Sequence, residues 1–399
     1  MIWHHAIAFA VAALIGAVAS SAVAAASFVV DGGSSAKREV EGGSNAGAVR
    51  ITIRITGALE DGDPERLRAI LMRIAGAAGH GGAPVRIVAE LSSNGGDIYA
   101  GLNMGYLFKE FDVATLVRAG DLCFSACALA FLGGTASHLP PNSIPDRTVE
   151  IGGQVAFHSF NINPNSKSLS AATDVTSGLV IGFSLARGGS SLLVRYAAAM
   201  AIDPAFIARL LGRPAEVWEY VDRDGEFVDL ASCAAGIGRP AITYAEMAAN
   251  ICNHATGDFS PVDASKAREM TAMQARRHLL RHVQENSESF GLQGSVLIKE
   301  IGTALAARTD RQVEAVYRDL RQLGVALPEI VGPVFEVTGY ISGSYTLQCH
   351  VSFSLEDPDR YDLAIQGPTG LTKAFRHAPR QCGRLFLFDR DAVLNPEKK

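Results

Sequence analysis

The sequence predicts an α/β protein in which a domain built on a parallel β-α-β sheet is followed by a smaller helical plus β region. Three observations carry this. Short strand-like runs alternate with helix-period runs through the first half of the chain, an order that implies parallel strands with helical crossovers. The strand runs, such as Val85 to Leu91, are nearly continuous in apolar residues, as expected of strands buried on both faces. Past residue 240 the pattern turns mostly helical and then, from Val334, to alternating aromatic and β-branched residues.

Composition bounds the whole. With 399 residues, 48% of them hydrophobic and 19% charged, the chain has enough apolar material for two cores. A net charge of −5 excludes a nucleic-acid binder, which needs a basic face, and Arg276, Arg277 and Arg281 read as a solvated helix face. Residues 1–26 read as a signal peptide: Ala6 to Val18 form an apolar run, and the small-x-small sites Ala22-Val23-Ala24 and Ala24-Ala25-Ala26 follow it. Its leading segment offers only His4, His5 and the terminal amine as positive groups. The mature protein is thus expected to be soluble and periplasmic or secreted. An uncleaved membrane anchor is the alternative, and only then is a membrane a partner.

Export gives the six cysteines a meaning. In an oxidising compartment an even count favours disulfides, with fifteen full pairings open. Proximity along the chain suggests Cys123 with Cys127, Cys233 with Cys252, and Cys349 with Cys382. The first pair needs a distorted turn, because positions four apart on a regular helix make poor disulfide geometry.

The elements follow in order. Residues 27–47, rich in Gly, Ser and Ala, read as a flexible lead-in. Val49, Ile51, Ile53 and Ile55 alternate as a strand, and Asp63-Pro64 caps a helix with Leu67, Ile70, Leu71 and Ile74 on one face. After the strand Val85 to Leu91 comes a glycine turn, Ser92-Ser-Asn-Gly-Gly-Asp97, then a helix over Ile98 to Phe111 and a strand over Val113 to Val117. Ser125 to Leu132 reads as a buried helix, and a proline-rich loop from His138 to Asp146 leads to a strand ending at His158. Asn161 to Ser170 is a polar loop; two helices are expected around Ala171 to Ala186 and Ser190 to Ala201, and Asp203-Pro204 caps another. The expected divisions are a first domain over 48–240, a helical region over 241–328 and a small β-rich region over 329–399. In the second, Thr309-Asp-Arg-Gln312 starts a helix that Gly324 stops.

The residues that can carry chemistry lie in the first domain. A serine hydroxyl becomes a nucleophile when a base takes its proton and N–H donors receive the oxyanion. Ser125, at a strand-to-helix turn among small residues, supplies the hydroxyl, and His158 the base. The N–H of Ala126 lies in the first helical turn, where donors are unpaired. Gly95-Gly96, at the end of a neighbouring parallel strand, can present a second N–H with no Cβ in the way.

In these residues the chain resembles the proteolytic subunit of the Clp protease, within the ClpP/crotonase superfamily. Ser92-Ser-Asn-Gly-Gly-Asp-Ile-Tyr-Ala-Gly-Leu102 is similar to its glycine turn, Phe124-Ser-Ala-Cys-Ala-Leu-Ala-Phe-Leu-Gly133 to its nucleophile helix, and Val155-Ala-Phe-His158 to its histidine strand. The resemblance covers residues 48–235 or so. It implies a serine peptidase with Ser125 as nucleophile, His158 as base, Gly96 and Ala126 as oxyanion donors, no cofactor and no metal, and a homo-oligomeric ring. Peptides or small esters are the substrates it suggests; export separates the chain from any ATP-driven unfoldase.

Three departures stand against the family pattern. The glycine turn lacks proline, the loop before the histidine is longer, and the triad acid falls near Arg213-Pro214, leaving Asp203, Glu216 and Asp222 as candidates. The alternatives are therefore a binding or scaffold protein that keeps the fold without the chemistry, a crotonase-type acyl-CoA enzyme using the same glycine-built hole, or a Ser–Lys dyad with Lys167. His138, His254, His278, His282 and His350 show no partner pattern and read as structural or surface residues.

Overall fold

β-Branched residues on alternate positions make Val49–Thr56 a strand, and in the computed structural model it is the parallel partner of Val85–Ser92 along its whole length. The structure describes residues 25–31, 49–78, 85–137, 144–159, 175–257, 259–307, 309–342, 345–357, 359–367, 370–372 and 382–396. Residues 1–24 of the expected signal peptide 1–26, most of the expected lead-in, His138 and the polar loop 161–170 with Lys167 lie outside them.

The chain is mixed α/β with several sheets. In order it runs β1 (Ser27–Asp31), β2 (Val49–Thr56), α1 (Asp63–Ala78), β3 (Val85–Ser92), α2 (Ile98–Glu110), β4 (Val113–Val117), β5 (Leu122–Phe124) and α3 (Ala126–Phe131). Then come β6 (Thr135–Ser137), β7 (Ile144–Pro145), β8 (Arg147–Glu150), β9 (Gln154–Phe157), α4 (Val175–Ala199), α5 (Pro204–Gly212), β10 (Glu219–Tyr220), α6 (Asp224–Asp229) and β11 (Cys233–Ala235). The main sheet has the order β1-β2-β3-β4-β8-β11 and is parallel except for β1. A smaller sheet, β10-β9-β5, stands beside it, joined where Ser93, just past β3, bridges Cys123. Ile53, Ile55, Phe108 and Phe131 lie in the shared core, and every residue of α3 is buried.

Two expectations change here. Ser27–Asp31, read as part of a flexible lead-in, forms β1 antiparallel to β2, and Ala26 is buried beneath it. The run Phe28-Val29-Val30 supplies the β-propensity that the surrounding Gly and Ser obscured. The two helices expected around Ala171 to Ala186 and Ser190 to Ala201 are one, α4, continuous through Gly188-Gly189. Its C-terminal half is fixed by burial of Leu193 and Tyr196, whose hydroxyl donates to the Leu129 carbonyl at 2.6 Å.

Beyond residue 240 follow α7 (Tyr244–Ala255), β12 (Ala267–Met270), α8 (Ala272–Glu285), α9 (Val296–Ala306), α10 (Asp310–Gln322) and four strands, β13 (Val334–Ser342), β14 (Tyr345–Phe353), β15 (Tyr361–Gly367) and β16 (Gly370–Thr372). The strands form one antiparallel sheet in the order β12-β13-β14-β15-β16. One face packs on α7 through Met247, Ile251, Val337 and Val351; the other packs on α8, α9 and α10 through Leu279, Leu280, Ile301 and Val334.

Three disulfides form, and only one joins sequence neighbours. Cys123 pairs with Cys127 as expected, because a strand, a turn and a helix start separate them rather than a helical turn; their Cα atoms are 5.1 Å apart. The proposed pairs Cys233 with Cys252 and Cys349 with Cys382 are corrected to Cys233–Cys382 and Cys252–Cys349. The reason is tertiary: α7 lies on the sheet face that presents Cys349, so Cys252 meets it at 5.9 Å between Cα atoms. Three disulfides fit an oxidising, non-cytoplasmic setting. Among the described residues no helix is long and apolar enough to cross a membrane.

Candidate active site

Ser125 joins the end of β5 to the start of α3, and the backbone turns there at φ 54° and ψ −120°. Residues with a Cβ adopt such angles only where the surroundings over-determine them. They do so here. The Ser125 amide donates to the Ala156 carbonyl at 2.9 Å, and its carbonyl accepts the first helical bond from the Leu129 N–H at 3.1 Å. The Cys123–Cys127 bridge closes the loop around the same turn. Upstream, both oxygens of Asp121 accept from Arg54 at 2.6 Å, a pairing that raises the Arg54 pKa further above its ordinary value. The hydroxyl is thus presented from a pinned backbone.

The glycine turn meets this corner directly. Ser93 donates its N–H to the Leu122 carbonyl at 2.7 Å, and the Phe124 N–H donates back at 3.0 Å, so β5 continues the register of β3. Gly95 and Gly96 then adopt φ 104° and 143°. A Cβ on Gly95 would fall 2.8 Å from the Ser125 Cβ and 3.2 Å from the Ala126 nitrogen. A Cβ on Gly96 would fall 2.1 Å from the Leu59 carbonyl oxygen. The Leu59 N–H donates to Gly95 and the Asp97 N–H to Leu59, which leaves the Gly96 N–H outside that bridge. Among the described residues, neither the Gly96 nor the Ala126 N–H has a backbone acceptor. Two free donors therefore flank the serine.

His158 follows the last residue of β9. Its Nε2 lies 2.8 Å from the Ser125 Oγ and its Nδ1 2.7 Å from the Ser159 carbonyl oxygen. A carbonyl only accepts, so Nδ1 carries the proton and Nε2 is left bare to accept from the serine hydroxyl. This is the tautomer a general base requires. The group that sets it is a main-chain carbonyl rather than a carboxylate.

Among the described residues none of the candidate acids is bonded to His158. Asp203 caps α5 by accepting from the Ala205 N–H at 2.7 Å. Glu216 is exposed, and Asp222 lies 3.9 Å from the Arg223 guanidinium. The register near Arg213-Pro214 holds an arginine because Arg213 neutralises a buried carboxylate, Glu219, at 2.6 Å, with Arg209 at 3.5 Å. Glu219 stands opposite Phe157 across the β9–β10 pair, so its side chain leaves the sheet on the face away from His158.

That same register brings in residues the sequence reading missed. Trp218, one position before Glu219, falls opposite His158, and the two rings pack with centroids 4.4 Å apart. Phe124 lies 5.5 Å from Trp218 and 5.9 Å from Tyr220, so three aromatic rings line one side of the serine and its histidine. Trp218 is 37% exposed, leaving part of its face open. The signal was present: Trp218 is one of only two tryptophans in the chain, within the strand-like run Val217-Trp-Glu-Tyr220.

The structure thus brings together Ser125 with Ala126, His158 and Gly95-Gly96 from three separate segments, and adds an aromatic wall. Such a constellation can activate a hydroxyl and receive an oxyanion. Compared with known proteins, the chain matches no family model and no curated protein.

Proposed function

We propose that this protein is an exported serine hydrolase, a peptidase or esterase, acting through a Ser125 acyl-enzyme. The observation that carries the reading is the 2.8 Å contact between the Ser125 Oγ and the His158 Nε2, with Nδ1 held by the Ser159 carbonyl. The Ser125 oxygen attacks the substrate carbonyl carbon while its proton passes to Nε2. The oxyanion is received by the N–H groups of Gly96 and Ala126. The imidazolium returns the proton to the leaving amine or alkoxide as the C–N or C–O bond breaks. Water then repeats the sequence, with His158 as base, and releases the acid and free Ser125.

A carbonyl dipole stabilises the imidazolium less than a full carboxylate does, yet it keeps the correct tautomer, which is the larger part of the acid's role. A ClpP/crotonase-like fold is supported by the parallel sheet and by the order glycine turn, nucleophile helix, histidine strand. Substrates on this reading are peptides or small esters with an apolar group for the Phe124, Trp218 and Tyr220 rings. No ATP-driven unfoldase is required. That no carboxylate is bonded to His158 among the described residues favours one other reading, a binding protein that retains the fold without turnover.

A fluorophosphonate probe separates the two. Wild-type protein should label at Ser125, and labelling should disappear in Ser125→Ala and fall steeply in His158→Ala. A well-folded wild type that takes no label, or equal labelling of all three, defeats the hydrolase.

A further inference from the structure

We propose that the C-terminal module binds a divalent transition-metal ion of the zinc type through His278, Glu336 and His350. The sequence offered no metal motif because the three residues are scattered: His278 is on α8, Glu336 on β13 and His350 on β14. Strand register assembles them. Glu336 and His350 are directly paired across β13 and β14, so their side chains leave the sheet on one face. That face is the one α8 covers, and His278 descends onto the pair.

The donor atoms converge on a point with no hydrogen bond between them. The Oε1 of Glu336 lies 3.7 Å from the His278 Nε2 and 3.8 Å from the His350 Nε2, and all three atoms lie within 4.8 Å of one another. Tetrahedral zinc with bonds of about 2.0–2.2 Å needs donor separations of about 3.4 Å, so the set closes on an ion with small side-chain movements. His350 is fully buried, and neither of its ring nitrogens has a hydrogen-bond partner among the described residues. A buried imidazole left unsatisfied on both nitrogens is costly without a ligand.

The surroundings complete a coordination shell. The Oε1 atoms of Gln348 and Gln366, a cross-strand pair on the same face, each accept from the His278 Nε2 at 3.2 Å; an ion would take the place of that proton, which moves to Nδ1, and either oxygen can then supply a fourth ligand. Arg268 donates to the other carboxylate oxygen of Glu336 (Nε at 3.1 Å), fixing its orientation and leaving Oε1 for the ion. Two imidazoles and a carboxylate select zinc, cobalt, nickel or copper over magnesium and calcium. Such an ion pins α8 to the middle of the β13–β14 pair. It lies apart from Ser125 and does not depend on the serine chemistry.

The test uses the full disulfide-bonded chain, stripped with EDTA and dialysed. Added Co²⁺ should produce visible d–d bands saturating near one equivalent, and Zn²⁺ should abolish them and raise the Tm. His278→Ala, at a partly exposed position, should weaken Co²⁺ binding at least about 100-fold and lose the Zn²⁺-dependent Tm rise, its fold checked by circular dichroism. Glu336→Gln should behave likewise, whereas His158→Ala should bind as wild type does. No saturable Co²⁺ signal in the wild type, or the same binding and Tm rise in His278→Ala, overturns the proposal.

Discussion

Replacing Ser125 with glycine should make the protein more stable than replacing it with alanine, which reverses the usual order of those two residues. Both variants lose the hydroxyl and its 2.8 Å contact with His158, so that loss cancels in the comparison. What remains is the backbone. At φ 54° and ψ −120° a residue with a Cβ is held at a cost of about 1–3 kcal/mol, which glycine relieves. Against this, glycine gives the unfolded chain about 0.4–1 kcal/mol of additional conformational freedom. The balance favours Ser125→Gly over Ser125→Ala by about 1 kcal/mol, or roughly 2–4 °C in Tm for a domain of this size. Urea unfolding with the disulfides intact reads this as a higher midpoint at unchanged slope. If the glycine variant unfolds at or below the alanine variant, Ser125 is not strained, and the argument that the fold spends stability to present this hydroxyl fails.

Other outcomes follow from neighbouring observations. Gly96→Ala should abolish fluorophosphonate labelling and destabilise by about 1–3 kcal/mol, since its Cβ would lie 2.1 Å from a main-chain oxygen of Leu59 that cannot swing aside; wild-type labelling would show that Gly96 does not build the hole. Trp218→Ala should slow labelling by about 3- to 10-fold, the range expected for loss of one aromatic contact on His158, and unchanged kinetics would make that contact incidental. Peptide mapping without reduction should recover Cys252–Cys349 and Cys233–Cys382, and removing the first of these should cost about 2–5 kcal/mol in urea unfolding. Secreted expression should yield a mature chain starting at Ala25, because cleavage after Ala26 would discard a residue that is buried and accepts a hydrogen bond from Arg66. Intact-mass analysis reads the terminus directly.

The parts of this molecule visible in the sequence are those set by local pattern. Alternation placed β2, the glycine turn Ser92 to Asp97 placed the start of α2, and the order of glycine turn, serine helix and histidine pointed to Ser125 and His158 together. What escaped notice is non-local. No residue type signals that a backbone carbonyl, that of Ser159, holds the His158 Nδ1, and none of Asp203, Glu216 and Asp222 is bonded to that ring among the described residues. Trp218 became relevant only through the register that sets it opposite His158. The disulfides escaped for the same reason: Cys252 is nearest to Cys233 along the chain, but α7 lies across the sheet from which Cys349 points. Gly188-Gly189 read as a break, and local propensity would make it one, at about 1 kcal/mol per glycine. Burial of Leu193 and Tyr196 further along α4 outweighs that.

The same non-local logic changes how residues beyond 240 relate to the serine. They are not a free appendage. After Cys382 is tied to Cys233, the chain returns to the first domain, and Leu394 and Asn395 both donate their N–H groups to the Asp222 carbonyl, at 2.8 and 3.0 Å. The Asn395 side chain accepts from the Gly152 N–H at 2.8 Å and donates to the Gly153 carbonyl at 2.5 Å. Those glycines form the turn into β9, and Asp222 lies just past β10, so the tail grips both strands that hold His158 and Trp218 in register. A further tie is the buried contact between the Asp224 carboxylate and the His254 Nε2 at 2.9 Å, which joins α6 to α7; desolvation there raises the Asp224 pKa. The position of His158 is therefore set partly by Leu394 and Asn395.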